Sequence, residues 1–268
     1  MKKVPKIDPK PILSMLLIPC LVYLAMKAPV VHSDYVRKKV QAKVYKIQSS
    51  PNSGGGTGFA VTAPSGISYI VSNAHVCEAV LKETANNKVL IRDDKGSLIK
   101  RSVIDISDES DLCLIEGLPG VTGLKVTSAP DIGDEIAIVG HPLLMPLAVS
   151  RGDVMGEREV QFTEYVMSLN DHLLDAMFNT RNEKCDKPKN RIQKIMLATP
   201  FGKVKARLCT TVISDVYITN AVVYPGNSGS PAVDWYGNVV GVLFASDDRT
   251  HWGCVISNKD LTRFLRYY

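Results

Sequence analysis

From Val40 onward the chain carries short apolar runs, many of them alternating with polar residues. "VQAKVYKIQ", "GTGFAVTA", "ISYIVS", "KVLIRD" and "DLCLIEG" form a first set. "DEIAIVG", "PLAVSRGDV", "TVISDVYIT", "GSPAVDWYGNVVGVLFAS" and "WGCVIS" form a second. Clusters of Gly, Pro, Ser, Asn and Asp separate them. A period of two bounded by turn residues predicts β-strands. "DWYGNVV" predicts a hairpin turn around Gly237 and Asn238. Short strands at this regular spacing predict an all-β barrel or sandwich. The chain closes on "SNKDLTRFLRYY", an amphipathic helix with Ser257 or Asn258 as its cap.

Two stretches break the strand pattern. Between about 157 and 208, Val166, Leu169, Leu173, Met177 and Phe178 recur at helical spacing, which predicts a helix over Gln161 to Asn179. The polar, basic "RNEKCDKPKNRIQKIM" follows. The whole reads as a partly helical insertion between two strands. Its basic residues from Arg181 to Arg207 read as a solvated face, with an anionic membrane surface as the alternative contact.

The other break is N-terminal. "MKKVPKIDPK" is basic, and Pro11 to Met26 then runs without a charge. That run falls short of the roughly 20 apolar residues a full span needs. It predicts an N-terminal hydrophobic helix acting as a signal-peptide core or a short signal anchor. Pro11 and Pro19 argue against a helix buried in a soluble core. Val31, His32 and Ser33 form a tolerable cleavage site, and the sequence leaves its use open. The expected division is a signal or anchor over 1–33, a first β-barrel over 34–120, and a second β-barrel over 121–268 that carries the insertion at about 157–208. The folded part is expected outside the cytoplasm, exported or held at a membrane.

Composition narrows the classes. The 268 residues are 45% hydrophobic, enough for a sizeable core, and the formal net charge is +5. That balance does not by itself indicate nucleic acid. There is no nucleic-acid motif, no phosphate-cradling GxxxxGK and no CxxC pair, so no nucleic-acid partner, cofactor or metal is expected. Of six cysteines, Cys20 lies in the apolar segment, and Cys77, Cys113, Cys185, Cys209 and Cys254 lie beyond it. Outside the cytoplasm some can pair, and five leave at least one over.

Candidate chemistry rests on three separated residues. His75 follows a strand in "YIVSNAHVCEAV", Asp111 precedes an apolar run in "ESDLCLIEG", and Ser228 sits in "YPGNSGSP". Each alone has a structural reading: a packed His, a cap, a surface turn. A serine hydroxyl becomes a nucleophile only with a base in reach, and the base needs a third group to hold its tautomer. His, Asp and Ser are those three types. The flanking glycines suit a tight loop whose N–H groups of Gly226 and Ser228 stabilise an oxyanion, with Asn227 between them.

These motifs resemble the chymotrypsin-like serine endopeptidases, and among them the bacterial high-temperature-requirement type. "GTGFAV" resembles the family's first-barrel strand pair, "SNAHV" (72–76) its histidine motif, "DLCLI" (111–115) its aspartate motif, "VGHP" (139–142) a turn, "PGNSGSP" (225–231) its nucleophile motif, and "GNVVGVLFAS" (237–246) its substrate strand. The resemblance runs from about Val36 to Leu265, the insertion excepted. It implies two six-stranded antiparallel β-barrels with the site between them. It implies Ser228 as nucleophile, His75 as general base and acid, and Asp111 as the residue orienting His75.

The sequence departs from that family in three places. Ser230 stands where the family usually has Gly. Asn227 stands where digestive relatives carry an Asp that pairs with a new N-terminus, so activation by that ion pair is not expected. No C-terminal peptide-binding module is expected after the last helix.

The resemblance also implies a specificity pocket with Val222 at its base, Val223 beside it, and Leu243, Phe244 and Ser246 on its wall. With no carboxylate there, small or medium apolar residues are the expected preference in a protein or peptide substrate. Cys77 and Cys113 each stand two residues after a member of the proposed triad. If His75 and Asp111 adjoin, these two can bridge, the alternative being two buried thiols. Cys185 and Cys209 flank the insertion, and Cys254 is the expected unpaired one. The competing reading of the whole chain is a catalytically silent binding protein on the same scaffold. The oligomeric state is not legible.

Overall fold

The computed structural model describes residues 38–168, 191–199, 202–246 and 250–268, except 85, 94 and 108. For 161–212 and 214 it describes the backbone alone. After a helical turn over 38–41, six strands close the first barrel. They are β1 (Val44–Gln48), β2 (Gly55–Thr62), β3 (Ser68–Ser72), β4 (Lys88–Arg92), β5 (Leu98–Ser107) and β6 (Leu112–Ile115), in the order β1-β2-β3-β6-β5-β4. Helix α1 (Ala74–Lys82) links β3 to β4.

The second barrel uses β7 (Glu135–Gly140), β8 (Ala148–Ser168), β10 (Gly202–Val222), β11 (Pro231–Val233), β12 (Val239–Ser246) and β13 (Trp252–Ser257). Their order is β13-β12-β11-β7-β8-β10, and pairing of β10 with β13 closes the ring. All the strand pairs in both barrels are antiparallel. The fold is therefore the two-barrel, chymotrypsin-like one. Helix α2 (Asn258–Leu265) ends the chain, and the hydroxyl of its N-cap Ser257 accepts from Asp260 N–H at 3.3 Å.

Alternation sorts the side chains into three apolar clusters. Ile47, Ala60, Ile70, Cys113 and Ile115 fill the first barrel. Ile136, Ile138, Val240, Leu243 and Val255 fill the second. The largest cluster draws on both barrels, with Phe59, Val61, Val71, Leu112 and Leu114 meeting Val139, Val242, Phe244, Ile256 and Phe264. Strands at the contact are thus apolar on both faces, which is why "FAV" and "LCLI" read as unbroken runs.

The region from about 157 to 208 differs from its sequence reading. Gln161–Ser168 is not helical. It continues β8, paired with β10 through Gln161↔Val212 to Ser168↔Lys205. A further strand, β9 (Arg191–Thr199), pairs with the same end of β10. The stretch "VQFTEYV" is rich in β-branched and aromatic residues, and long-range pairing overrides its helical spacing. The remainder of the expected helix, from 169 to 179, lies outside the described residues, as do the apolar segment 11–26, Cys20 and Cys185. Among the described residues no helix is long and apolar enough to cross a membrane.

Two local features shape the site. Gly140 ends β7, and a Cβ placed there would lie 1.9 Å from Ser230 Oγ. Ser230, the residue in place of the expected glycine, is wholly buried, and among the described residues its hydroxyl has no hydrogen-bond partner. The bare backbone at Gly140 makes room for it.

The second feature is a disulfide. Cys77 on α1 bonds Cys113 on β6, with Cα atoms 6.4 Å apart and both residues wholly buried. Cys254 is a buried thiol.

At the C-terminus, the Tyr268 hydroxyl donates to Asp105 on β5 at 2.7 Å. Burial, reinforced by that carboxylate, pushes the phenol up to about 12.

The Cys77–Cys113 bond spans 36 residues of sequence. Replacing both cysteines by Ala should lower the unfolding free energy by about 2–4 kcal/mol. Denaturant titration of the oxidised protein and the double variant checks this, and equal midpoints would contradict it.

Candidate active site

His75 lies in the first turn of α1, whose N-cap is Asn73. Asp111 lies immediately before β6, in the left-handed region at φ 49°. That conformation is uncommon outside glycine but tolerated by Asp. It turns the residue so that both its carbonyl and its carboxylate face the start of α1. The carbonyl accepts from Ala74 N–H at 3.1 Å and from the Asn73 side-chain amide at 3.0 Å. One carboxylate oxygen accepts from His75 N–H at 3.0 Å, and the other meets His75 Nδ1 at 2.8 Å.

Four bonds therefore fix Asp111 against α1, and the disulfide ties the same two elements two residues further on. An ionised carboxylate only accepts, so its bond calls for the proton on Nδ1, and the neutral form of the ring then has its lone pair on Nε2. The His75 side chain is 47% exposed and that of Asp111 15% exposed, so the ring has an open face and the carboxylate does not.

Ser228 sits in a loop whose backbone is tied at almost every residue. Gly226 and Gly229 have φ of 92° and 86°, where a Cβ is strained. A Cβ at Gly229 would also lie 2.0 Å from Thr57 O. Asn227 N–H donates to Tyr224 O at 3.1 Å, and Ser230 N–H to Asn227 O at 2.9 Å. Thr57 N–H, from β2, donates to Ser228 O at 2.8 Å. Leu143 N–H donates to Pro225 O at 2.6 Å, and Gly229 N–H to Leu243 O at 2.8 Å. Among the described residues no hydrogen bond engages the N–H groups of Gly226 and Ser228. The Ser228 hydroxyl makes its bond to Phe244 O at 3.5 Å, not to the His75 ring.

The five residues expected around a pocket fall into two groups. Val222 is 46% exposed, and Ser246 is half-buried. Val223 and Leu243 belong to the second barrel's interior cluster, and Phe244 to the cluster between barrels. Val222 also lines a cavity of about 230 Å3 with Ile138, Pro142, Val149, Tyr224 and Asn227. Neither His75 nor Ser228 borders that cavity. No cluster able to hold a metal ion occurs among the described residues.

Sequence reasoning passed over Asn73 and Thr57. Asn73 carries a signal, since it is a capping-type residue directly before the histidine motif's helix. Thr57 carries none beyond its place between two glycines.

Comparison with known proteins bears on the fold and the family. A family model described as "Trypsin-like peptidase domain" matches residues 56–242, more than half of the chain. No curated protein matches the sequence. Among solved structures, the active form of the Rv3671c protease from M. tuberculosis superposes with a TM-score of 0.59 at 18% identity, over 88% of this chain and 84% of that one. A serine endoprotease from Yersinia pestis gives 0.57 at 14% identity, over 87% and 66%. An HtrA-type protease with a tripeptide gives 0.55 at 14%, over 86% and 61%. At such identities the structural likeness is one of fold, and the family model adds the class. The chain belongs to the trypsin-like peptidase family.

Proposed function

We propose that the chain hydrolyses peptide bonds through an acyl-enzyme intermediate, with Ser228 as nucleophile, His75 as general base and acid, and Asp111 orienting His75. The observation that carries this reading is the two-point hold of the Asp111 carboxylate on His75, at backbone N–H and at Nδ1. It leaves Nε2 as the basic nitrogen and fixes the ring's direction.

Attack requires the Ser228 hydroxyl to leave Phe244 O for Nε2. His75 then takes the proton as Oγ bonds the substrate carbonyl carbon. The oxyanion settles on the N–H groups of Gly226 and Ser228, which have no other acceptor among the described residues. Protonated Nε2 hands its proton to the leaving amine, and water repeats the sequence to release the acid.

The side chain before the cut bond would meet Val222 and Ser246, neither of which carries a charge. Small or medium apolar residues such as Val, Ala, Leu and Ile are the proposed preference. Location belongs to the same proposal. The uncharged run from Pro11 to Met26 supports export or anchoring, with the peptidase outside the cytoplasm. The Cys77–Cys113 disulfide fits an oxidising compartment.

A fluorophosphonate probe should label the protein and fail on Ser228→Ala, and an unlabelled wild type would sink the assignment. Asp111→Asn should keep the fold and lose about 10⁴-fold in kcat, because the ring takes the wrong tautomer; near-normal turnover would remove Asp111 from its role. Across peptides varied before the cut bond, each methylene should be worth about 1–3 kcal/mol in kcat/KM. A dominant preference for Arg or Lys would contradict the pocket. In membrane fractions, shortening the chain to begin at Asp34 should release the peptidase or leave it unexported. An unchanged distribution would rule out the leader.

A further inference from the structure

Thr57 is wholly buried and sends hydrogen bonds in four directions. Its N–H donates to Ser228 O at 2.8 Å. Its carbonyl accepts from the Ser72 hydroxyl at 2.7 Å, and Ser72 ends the strand that leads to His75. Its own hydroxyl donates to Gly226 O at 2.7 Å and accepts from His141 N–H at 3.1 Å. The direction of the last two is forced. A carbonyl only accepts and a backbone N–H only donates, so the single hydroxyl hydrogen must lie toward Gly226.

The geometry of the oxyanion donors explains why this matters. A peptide unit is planar, so each N–H points opposite to the carbonyl of the residue before it. Gly226 N–H shares its plane with Pro225 O, which Leu143 N–H holds at 2.6 Å. Ser228 N–H shares its plane with Asn227 O, which Ser230 N–H holds at 2.9 Å. Between them lies the plane of Gly226 O and Asn227 N–H. Its N–H side is tied to Tyr224 O at 3.1 Å, and its carbonyl side to the Thr57 hydroxyl.

That middle plane is the hinge between the two donors. On one side it rotates about glycine, which has the widest backbone freedom of any residue. Turning it redirects both flanking N–H groups. The hydroxyl that stops the rotation comes from the other barrel and is buried, so water does not substitute for it.

We infer that Thr57 is a positioning residue for the oxyanion hole. Its hydroxyl holds the Gly226 carbonyl and so keeps the N–H groups of Gly226 and Ser228 convergent. The inference rests on the proposed role of Ser228. By the same four bonds Thr57 couples the nucleophile loop to the strand carrying His75 and to the turn that begins at His141.

The test compares Thr57→Val, which keeps the shape and removes the hydroxyl, with Thr57→Ser, which keeps the hydroxyl. Deleting an oxyanion donor outright costs about 10²–10³ in kcat, so loosening one should cost on the order of 10- to 100-fold in Thr57→Val. KM should stay near the wild-type value. The rate of fluorophosphonate labelling, which also develops charge on that oxygen, should fall by a similar factor. Peptide affinity measured in a Ser228→Ala background should not change on adding Thr57→Val. Thr57→Ser should recover most of kcat.

Equal kcat and labelling rate in wild type and Thr57→Val would overturn the inference, as would equal losses in the Val and Ser variants. If Thr57→Val does not fold, Thr57→Ser and Thr57→Ala, assayed well below their melting temperatures, differ only in the hydroxyl. A slower Ala variant then supports the inference, and equal rates in the two overturn it. Failure of the underlying reading looks different: wild type itself stays unlabelled, or Ser228→Ala labels as fast as wild type.

Discussion

The contact between the two barrels is the constraint on which the rest depends. It is made by side chains from alternate positions of strands whose other face fills a barrel interior. Phe59, Val61, Val71, Leu112 and Leu114 from the first barrel lie in one buried cluster with Val139, Val242, Phe244 and Ile256 from the second. Because both faces of these strands are buried, a one-residue slip in register exchanges the two sets. The relative placement of β3, β6 and β11, which contribute Val71, Leu112, Leu114 and Val233 to this cluster, is thus set by packing. His75 follows β3, Asp111 precedes β6 and the loop carrying Ser228 leads into β11, so all three inherit that precision.

Polar bonds then refine what packing sets coarsely. On one side Asp111 is fixed through its carbonyl and both carboxylate oxygens to the first turn of α1. On the other, backbone bonds tie the glycine loop to β2, β12 and the turn after β7. Between these systems runs Ser72–Thr57–Gly226, a link of two hydroxyls and two carbonyls through buried surroundings. Buried hydrogen bonds of this kind are costly to leave half made, which gives the loop one arrangement and few alternatives.

The strands legible in the sequence are those with a buried face rich in β-branched residues. "WGCVIS" coincides with β13, and "KVLIRD" contains β4. Strand β5 escapes notice because only Val103 of its ten residues is buried, so it has no clear alternation. Helix α1 escapes because it is short and its cap lies inside a motif read for chemistry. The outer part of β8 reads as helix because local spacing says nothing of a partner strand 37 to 51 positions away, from Ser168↔Lys205 to Gln161↔Val212. At the site, His75, Asp111 and Ser228 stand out by residue type and surrounding motif. Thr57 does not, because its partner Gly226 lies 169 residues along the chain and offers a backbone carbonyl, which no side-chain pattern records.

The disulfide also divides the site unevenly. His75, Asp111, Cys77 and Cys113 all lie within the first barrel, whose last strand ends at Ile115. The loop carrying Ser228 belongs to the second, whose ring is closed by pairing of β13 with β10. The covalent tie therefore fastens the histidine to the aspartate, while the serine loop is joined to that half by hydrogen bonds and packing. Reduction would loosen one half of the site and leave the bonds of the other half in place.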